Sequence, residues 1–255
     1  MATATIDRRR TLHVEECMGT VFTIDIRDPG ATWDEAIGEV VAWLHHVDEV
    51  FSTYRVGSDI SRICRNEISP SGADPLVAEV LELCVEVQRE TGGYFSAMHS
   101  GRLDPTGLVK GWAIERASDL LREHGSANHA VNGGGDIQFA GEPMPGDPWQ
   151  VGLVDPFDPR RLLEVVHGRD FAVATSGTAE RGAHLVDPFT GHAVTDLASV
   201  SVVGRSLTRV DAYATAAFAM GAHAQPWLES QTGYEGLVVA ADGSRSATTG
   251  LRVRR

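Results

Sequence analysis

The segment LDPTGLVKGWA places an acid, a glycine and a lysine at the start of an amphipathic helix. Asp104 can cap that helix, and Pro105 suits the first helical position because its φ is fixed and it has no N–H. Lys110 falls outside the apolar stripe. Because a helix N-terminus offers free backbone N–H groups, the segment is compatible with a phosphate beside Lys110. A capped surface helix with a solvated lysine explains the pattern equally well.

Asp211 and Thr215 form a second candidate pair, four positions apart on another predicted helix. This spacing places a carboxylate and a hydroxyl on one helix face, a single turn apart. Both groups are hard oxygen donors of the kind that Mg²⁺ prefers. The alternative is an ordinary helix start, with an Asp favoured by the helix dipole and a Thr bonded to its own backbone.

The glycine triplet in NGGGDI, residues 132–137, lies between two β-like runs. Such a turn brings backbone close to a ligand and exposes N–H groups, but a tight structural hairpin is the competing interpretation. A dinucleotide-binding loop of the Rossmann type is disfavoured because no helix follows.

His184 is the candidate general base, because a turn at residues 187–191 follows it and would hold it at a strand end. A half-buried histidine bonded to a carbonyl is the alternative. Ser176 and Asp187 lie nearby in sequence, but Ser176 lacks the Gly-x-Ser-x-Gly elbow of a hydrolase nucleophile.

Met18, Tyr54 and the Tyr94–Phe95 pair supply sulfur and aromatic groups next to predicted turns. Each fits an ordinary core. Together they could form apolar faces against which a planar ring stacks.

Hydrophobic periodicity predicts helices early in the chain and short strands later, which favours an α+β fold with largely antiparallel sheets. A first strand is predicted at 20–26 and a closing hairpin around Asp242-Gly243. Helices are predicted at 33–51, 75–90, from Pro105 onward and at 207–220, and β-like runs at 128–131, 137–140, 149–154, 162–166, 171–175, 184–186 and 197–203. We expect a flexible N-terminal segment, 1–13, and one domain, 14–255.

Composition narrows the class of protein. The 255 residues carry a formal net charge of −13 and no internal basic patch, which argues against a nucleic-acid partner. The three cysteines are odd in number and lack close Cys/His pairing, as expected of reduced thiols. The N-terminus has no apolar signal region and no run is long enough to span a membrane, so we expect a cytoplasmic protein without a membrane partner.

Seven motifs together resemble the ApbE family of FAD:protein FMN transferases in order and approximate spacing, over residues 14–222. They are MGT, FSTYRVGSDISRI, TGGYF, LDPTGLVKGWAIERA, NGGGDI, ATSGTAERGAHLVDPFTG and VDAYATAAFAMG. The resemblance implies antiparallel sheets with flanking helices, in two closely packed lobes with the nucleotide site between them.

The resemblance also implies a chemistry. Family members bind FAD and magnesium, transfer the FMN half to a threonine or serine of an acceptor flavoprotein, and release AMP. His184 matches the histidine thought to activate the acceptor hydroxyl. The magnesium positions correspond to Gly107 through its carbonyl, Asp211 and Thr215. The positions that match flavin-binding residues are Met18, Tyr54, Tyr94, Phe95, Ser96, Asp104, Lys110 and Leu185.

Two features depart from the family pattern: Ser96 stands where the family usually has Asp, and the loop after Phe95 is short. Three alternatives remain open. Water could replace the acceptor, giving an FAD pyrophosphatase. The chain could bind FAD without turnover. The tail DGSRSATTG also loosely resembles the acceptor sequence, with Thr248 as the target hydroxyl.

Overall fold

The computed structural model describes residues 10–29, 32–99, 101–178 and 186–251, and within them the chain forms 12 β-strands and six α-helices. The strands are β1 Thr11–Cys17, β2 Thr20–Ile26, β3 Met98–His99, β4 Arg102–Leu103, β5 His129–Gly133, β6 Asp136–Ala140, β7 Trp149–Asp155, β8 Asp158–Gly168, β9 Ala172–Gly177, β10 Leu197–Gly204, β11 Glu235–Ala240 and β12 Arg245–Ala247. The helices are α1 Asp34–Phe51, α2 Asp59–Cys64, α3 Pro75–Glu90, α4 Thr106–Glu123, α5 Leu207–Ala219 and α6 Ala224–Glu229.

Eight strands form one sheet in the order β1-β2-β5-β6-β9-β10-β11-β12. Each neighbouring pair in this sheet is antiparallel. Two further antiparallel pairs, β3–β4 and β7–β8, stand apart from it. The predicted α+β class with antiparallel sheets is therefore confirmed.

The sheet separates two hydrophobic clusters. Alternation along β9 shows this, because Ala172 and Ala174 belong to the larger cluster and Val173 to the smaller one. The larger cluster contains the buried faces of helices α1, α3, α4 and α5. The smaller cluster contains Trp149 and Leu153 of β7, packed with Phe139 of β6. The helices and the β7–β8 pair thus cover opposite faces of the sheet.

The helices predicted from periodicity are confirmed as α1, α3, α4 and α5, and the Asp242-Gly243 hairpin as β11–β12. Helix α4 begins one residue later than predicted, at Thr106, with Pro105 as its N-cap. Strand β1 begins at Thr11, within the segment 1–13 for which flexibility is expected, and pairs with β2 over its whole length.

The three cysteines are free thiols, as expected. Burial raises the pKa of Cys17 to about 11 and that of Cys84 to about 12, so both remain protonated near neutral pH.

Over the described ranges, every helix is too short or too polar to cross a membrane.

Candidate active site

Helices α4 and α5 approach each other closely at Gly111. A Cβ atom at this position would lie 2.6 Å from the Leu207 carbonyl oxygen and 2.8 Å from Asp211 Cβ. Only a glycine permits this contact. The close approach lets the Gly111 N–H donate to Asp211 Oδ2 at 3.0 Å, across 100 residues of sequence. The α4–α5 junction therefore fixes the Asp211 carboxylate beside the first turns of α4.

Lys110, the only lysine of the chain, lies at the same junction. Its ammonium contacts Asp136 Oδ2 directly and lies 3.7 Å from Asp211 Oδ2. The lysine side chain is 27% exposed, whereas the two carboxylates are almost fully buried. Lys110 is thus the accessible member of a three-charge cluster.

Asp136 is a site residue that the sequence reasoning missed. It is the first residue of β6, 2% exposed, and its Oδ1 accepts the Thr175 N–H of β9 at 3.1 Å. A buried carboxylate costs free energy unless it is paired and hydrogen-bonded, and Lys110 and Thr175 provide both. The sequence feature that could have identified Asp136 is its position directly after the glycine turn.

The glycine triplet itself forms a structural hairpin. Gly134 and Gly135, with φ of 62° and 96°, make the two-residue turn between β5 and β6. The Gly134 N–H donates to the Val21 carbonyl and the Gly135 N–H to Asn132 Oδ1. The expectation that this turn exposes N–H groups is wrong for both glycines, because each N–H already has a partner within the chain.

Thr215 completes the cluster on the α5 side. Its Oγ1 lies 3.3 Å from Ser176 Oγ at the end of β9. Across the junction, a Cβ at Gly107 would lie 3.8 Å from Thr215 Oγ1 and 3.4 Å from Phe95 Cε2. The three residues of the predicted magnesium set, Gly107, Asp211 and Thr215, therefore converge on the α4–α5 junction. Ser176 adds a hydroxyl that the predicted set did not include.

Asp104 has two structural tasks. Its Oδ1 accepts the Thr106 N–H at 3.1 Å and the Thr106 hydroxyl at 2.6 Å, which satisfies the start of α4. Its own N–H donates to the Ala97 carbonyl at 2.7 Å. Asp104 thus bonds the first N–H of α4, as a capping side chain does, but from the residue before the N-cap, which is Pro105.

Asp104 and Tyr54 line one cavity of about 310 Å³, bordered also by Arg65 and Arg102. Tyr54 is 93% exposed, so its ring has almost no packing in the described part of the chain. An exposed aromatic face and two cations beside a cavity of this size suit a planar, anionic ligand.

The side chains of the Tyr94–Phe95–Ser96 segment make three separate contacts. Phe95 is buried beneath Gly107. The Tyr94 ring meets the largely exposed Phe189 ring edge to face at 4.9 Å between centroids. The Ser96 hydroxyl donates to the Met98 carbonyl and accepts the Met98 N–H.

Met18 lies in the turn between β1 and β2, with a φ of 52°. A left-handed methionine costs of order 1 kcal/mol and is uncommon outside sites that impose it. Thr20, the first residue of β2, contacts Gly134, so the two turns adjoin.

His184 and Leu185 lie outside the described residues. The turn that follows them is described: Asp187 accepts the Phe189 N–H at 2.8 Å and the Thr190 hydroxyl at 3.0 Å. These bonds lower the pKa of Asp187 and fix the turn locally. Among the described residues, no group of three or more His, Cys, Asp or Glu side chains is arranged to hold a metal. The predicted magnesium ligands are one carboxylate, one hydroxyl and one backbone carbonyl, so they do not form a group of that kind.

The architecture is that of the flavin transferases. The structure matches flavin transferase ApbE from Vibrio cholerae with a TM-score of 0.81 and 22% identity, covering 94% of this chain and 97% of that one. The apo flavinyl transferase ApbE of Pseudomonas stutzeri gives a TM-score of 0.82, also at 22% identity, with coverage of 94% and 95%.

The sequence model of the ApbE family matches residues 18–101 and 96–238, and the chain belongs to this family. Two curated relatives are named FAD:protein FMN transferase. That of Vibrio cholerae serotype O1 is 32% identical over 129 residues, which is 47% of this chain and 39% of the relative. That of Haemophilus influenzae is 23% identical over 272 residues, covering 80% of this chain and 79% of the relative. The chain thus spans about two fifths of the first relative's length and about four fifths of the second's.

Proposed function

We propose that this protein transfers the FMN half of FAD to a threonine or serine hydroxyl of an acceptor flavoprotein and releases AMP, with the help of a divalent cation. The observation that carries the proposal is the α4–α5 junction, which gathers Lys110, Asp211, Thr215 and Gly107 at one place. These four residues come from two of the family's motifs, over 100 residues apart in sequence.

The charges of the junction support a divalent cation. In their charged forms, the Lys110 ammonium and the carboxylates of Asp136 and Asp211 leave one net negative charge. The two phosphates of FAD are anionic, so Lys110 alone cannot compensate them here. A divalent cation would supply the missing positive charge.

The donor set fits magnesium. The Asp211 carboxylate, the Thr215 hydroxyl and the Gly107 carbonyl are all hard oxygen donors, and Thr215 lies against Gly107. Bound there, Mg²⁺ would draw charge from the phosphoryl oxygens and from the leaving phosphate. Ser176, 3.3 Å from Thr215 Oγ1, orients that hydroxyl.

The transfer forms one bond and breaks one. The acceptor hydroxyl oxygen attacks the phosphorus of the FMN half, and the P–O bond to the AMP half breaks, so that AMP leaves with the electron pair. The hydroxyl proton passes to a base, for which His184 is our candidate. Tyr54 and Asp104 would hold the nucleotide in the cavity that they line.

Thr248 is a poor candidate for the target hydroxyl. It is 5% exposed, its hydroxyl donates to Glu235, and it accepts the Gly236 N–H at 3.0 Å. Attack from this oxygen would require β11 and β12 to separate. This arrangement favours an acceptor on another protein.

The test is incubation with FAD, Mg²⁺ and purified flavoproteins encoded beside the gene. We expect an acceptor mass increase of one FMN less one water, with an equal amount of AMP. Asp211→Asn should abolish both products, whereas Asp119→Asn, which removes a charge from the α4 surface near Arg122, should not.

The other outcomes separate the alternatives. FMN and AMP formed without any acceptor would indicate an FAD pyrophosphatase. Tight FAD binding with no AMP, unchanged in His184→Ala, would indicate a flavin-binding protein and would refute the proposal.

A further inference from the structure

The Lys110 ammonium lies between two buried carboxylates, but at different distances from them. It contacts Asp136 Oδ2 directly, whereas Asp211 Oδ2 is 3.7 Å away. Asp136 is itself held by the Thr175 N–H, while Asp211 Oδ2 accepts the Gly111 N–H. Backbone N–H groups of two elements, β9 and α4, therefore hold the two carboxylates in place, whereas the position of the ammonium depends on the conformation of the Lys110 side chain.

We infer that Asp136 is a positioning residue that holds the Lys110 ammonium away from Asp211, so that a divalent cation can bind the Asp211 carboxylate. This inference rests on the metal role of Asp211 in the proposed function. In this inference, Asp136 affects cation binding only through the position of Lys110.

The expected effect follows from Coulomb's law. Without the Asp136 charge, the ammonium can close on Asp211 Oδ2 from 3.7 Å to an ion-pair distance of about 2.8 Å. At an effective dielectric constant of about 20, this movement strengthens the attraction by ~1.4 kcal/mol. A cation that binds Asp211 must displace this contact, so its affinity should fall about tenfold.

The residue type at position 110 agrees with this inference. The chain has 22 basic residues besides histidine, and Lys110 is the only one of them that is not arginine. An ammonium is a compact charge on a flexible stem, whereas a guanidinium is a wide planar fork that would bridge the two carboxylates. A compact charge can rest on Asp136 alone.

Mn²⁺ serves as the probe, because its free form is measured by electron paramagnetic resonance without turnover of FAD. We expect Asp136→Asn to weaken Mn²⁺ binding about tenfold relative to the wild type. Adding Lys110→Met to that variant should restore the lost affinity. Asp119→Asn is the matched control: it removes one charge from the same helix, about 13 Å along its axis from Lys110, and should change the affinity less than twofold.

The single lysine gives a second readout. Protein labelled with ¹³C-lysine carries one labelled side chain, so its Cε signal reports on Lys110 alone. Saturable broadening of this signal by Mn²⁺, absent in Asp211→Asn, is expected. The signal should shift in Asp136→Asn as the ammonium changes partner.

The inference is overturned if the double variant binds Mn²⁺ as weakly as Asp136→Asn, because Asp136 would then act without Lys110. If Asp136→Asn does not fold, the double variant, which removes the ion pair as a unit, carries the test. It should then bind Mn²⁺ at least as tightly as the wild type, and weaker binding overturns the inference.

The two proposals fail separately. A wild type that binds Mn²⁺ at Asp211 but transfers no FMN refutes the proposed function and leaves this inference standing. A wild type with no saturable Mn²⁺ site at Asp211 refutes this inference, whatever its activity.

Discussion

Gly111→Ala is expected both to destabilise the protein and to displace Asp211 in the proposed metal site, because one methyl group would push α4 and α5 apart. Its Cβ would lie 2.6 Å from the Leu207 carbonyl oxygen, where carbon and oxygen normally approach to about 3.3 Å. Helix α5 must therefore move by about 0.7 Å, which stretches the Gly111–Asp211 hydrogen bond of 3.0 Å.

The magnitude is the difference of two opposing effects. Overpacking costs ~1–3 kcal/mol, and two contacts under 3.0 Å place Gly111→Ala in the upper part of that range, at ~2–3 kcal/mol. Alanine regains ~1 kcal/mol of helix propensity over glycine. The net loss is ~1–2 kcal/mol, or about 2–8 °C in Tm for a chain of this size. Because Asp211 moves with α5, Mn²⁺ affinity should fall as well.

Gly107→Ala, one turn earlier on the same helix, is the matched control. A Cβ there meets its nearest atoms at 3.4–3.8 Å, which is ordinary packing, and the carbonyl proposed as a metal ligand is retained. We expect a Tm within about 2 °C of the wild type, so this variant is the control for stability. Thermal melts of both variants and Mn²⁺ titrations of Gly111→Ala measure the two effects. Equal stability of Gly111→Ala and the wild type would refute the argument that a close backbone approach positions Asp211.

Three further predictions concern other parts of the chain. Burial lowers the pKa of His129 from 6.5 to about 4, so its neutral form stabilises the protein fully above pH 6.5, and this stability is lost as the pH falls towards 4. Urea unfolding should show a loss of ~2 kcal/mol between pH 7 and pH 5 that His129→Gln removes; an identical loss in that variant would contradict this assignment. Tyr54→Ala should weaken FAD binding by about 10-fold, measured by flavin fluorescence, without lowering Tm, because the ring is 93% exposed; unchanged affinity would exclude ring stacking there. Thr215→Val keeps the volume but removes the hydroxyl, and should lower Mn²⁺ affinity and FMN transfer more than Thr215→Ser does; equal losses in both variants would point to packing rather than to the hydroxyl.

Local signals predicted much of the fold. The 3.6-residue periodicity located α1 and α3 to within about one residue, since each of them buries one face. It placed the start of α4 one residue early, and α5, which is buried on nearly all sides, was located to within one residue. The Asp242-Gly243 turn predicted the β11–β12 hairpin in the same way. The short α2 and α6, with six residues each, carry too few turns to show a period and were missed.

Strand β1 was also missed, because its burial depends on pairing. Residues 11–16 alternate only between half-buried and exposed, and only Cys17 of this strand is buried, so little apolar periodicity marks the strand. Their place in the sheet comes from the ladder with β2, which is closed by the turn at Met18 and Gly19.

For the site, the sequence by itself determined the residue types and their order: Asp104 and Lys110 at a helix start, and Asp211 and Thr215 one helical turn apart. These are relations over a few residues, fixed by helix geometry. Only the tertiary structure decided that Lys110 pairs with Asp136, and that the N–H groups of the glycine turn are hydrogen-bonded within the chain. The physical reason is that a buried charge or N–H group must find its partner in space, and that partner is 26 residues away for Lys110 and 100 residues away for Gly111.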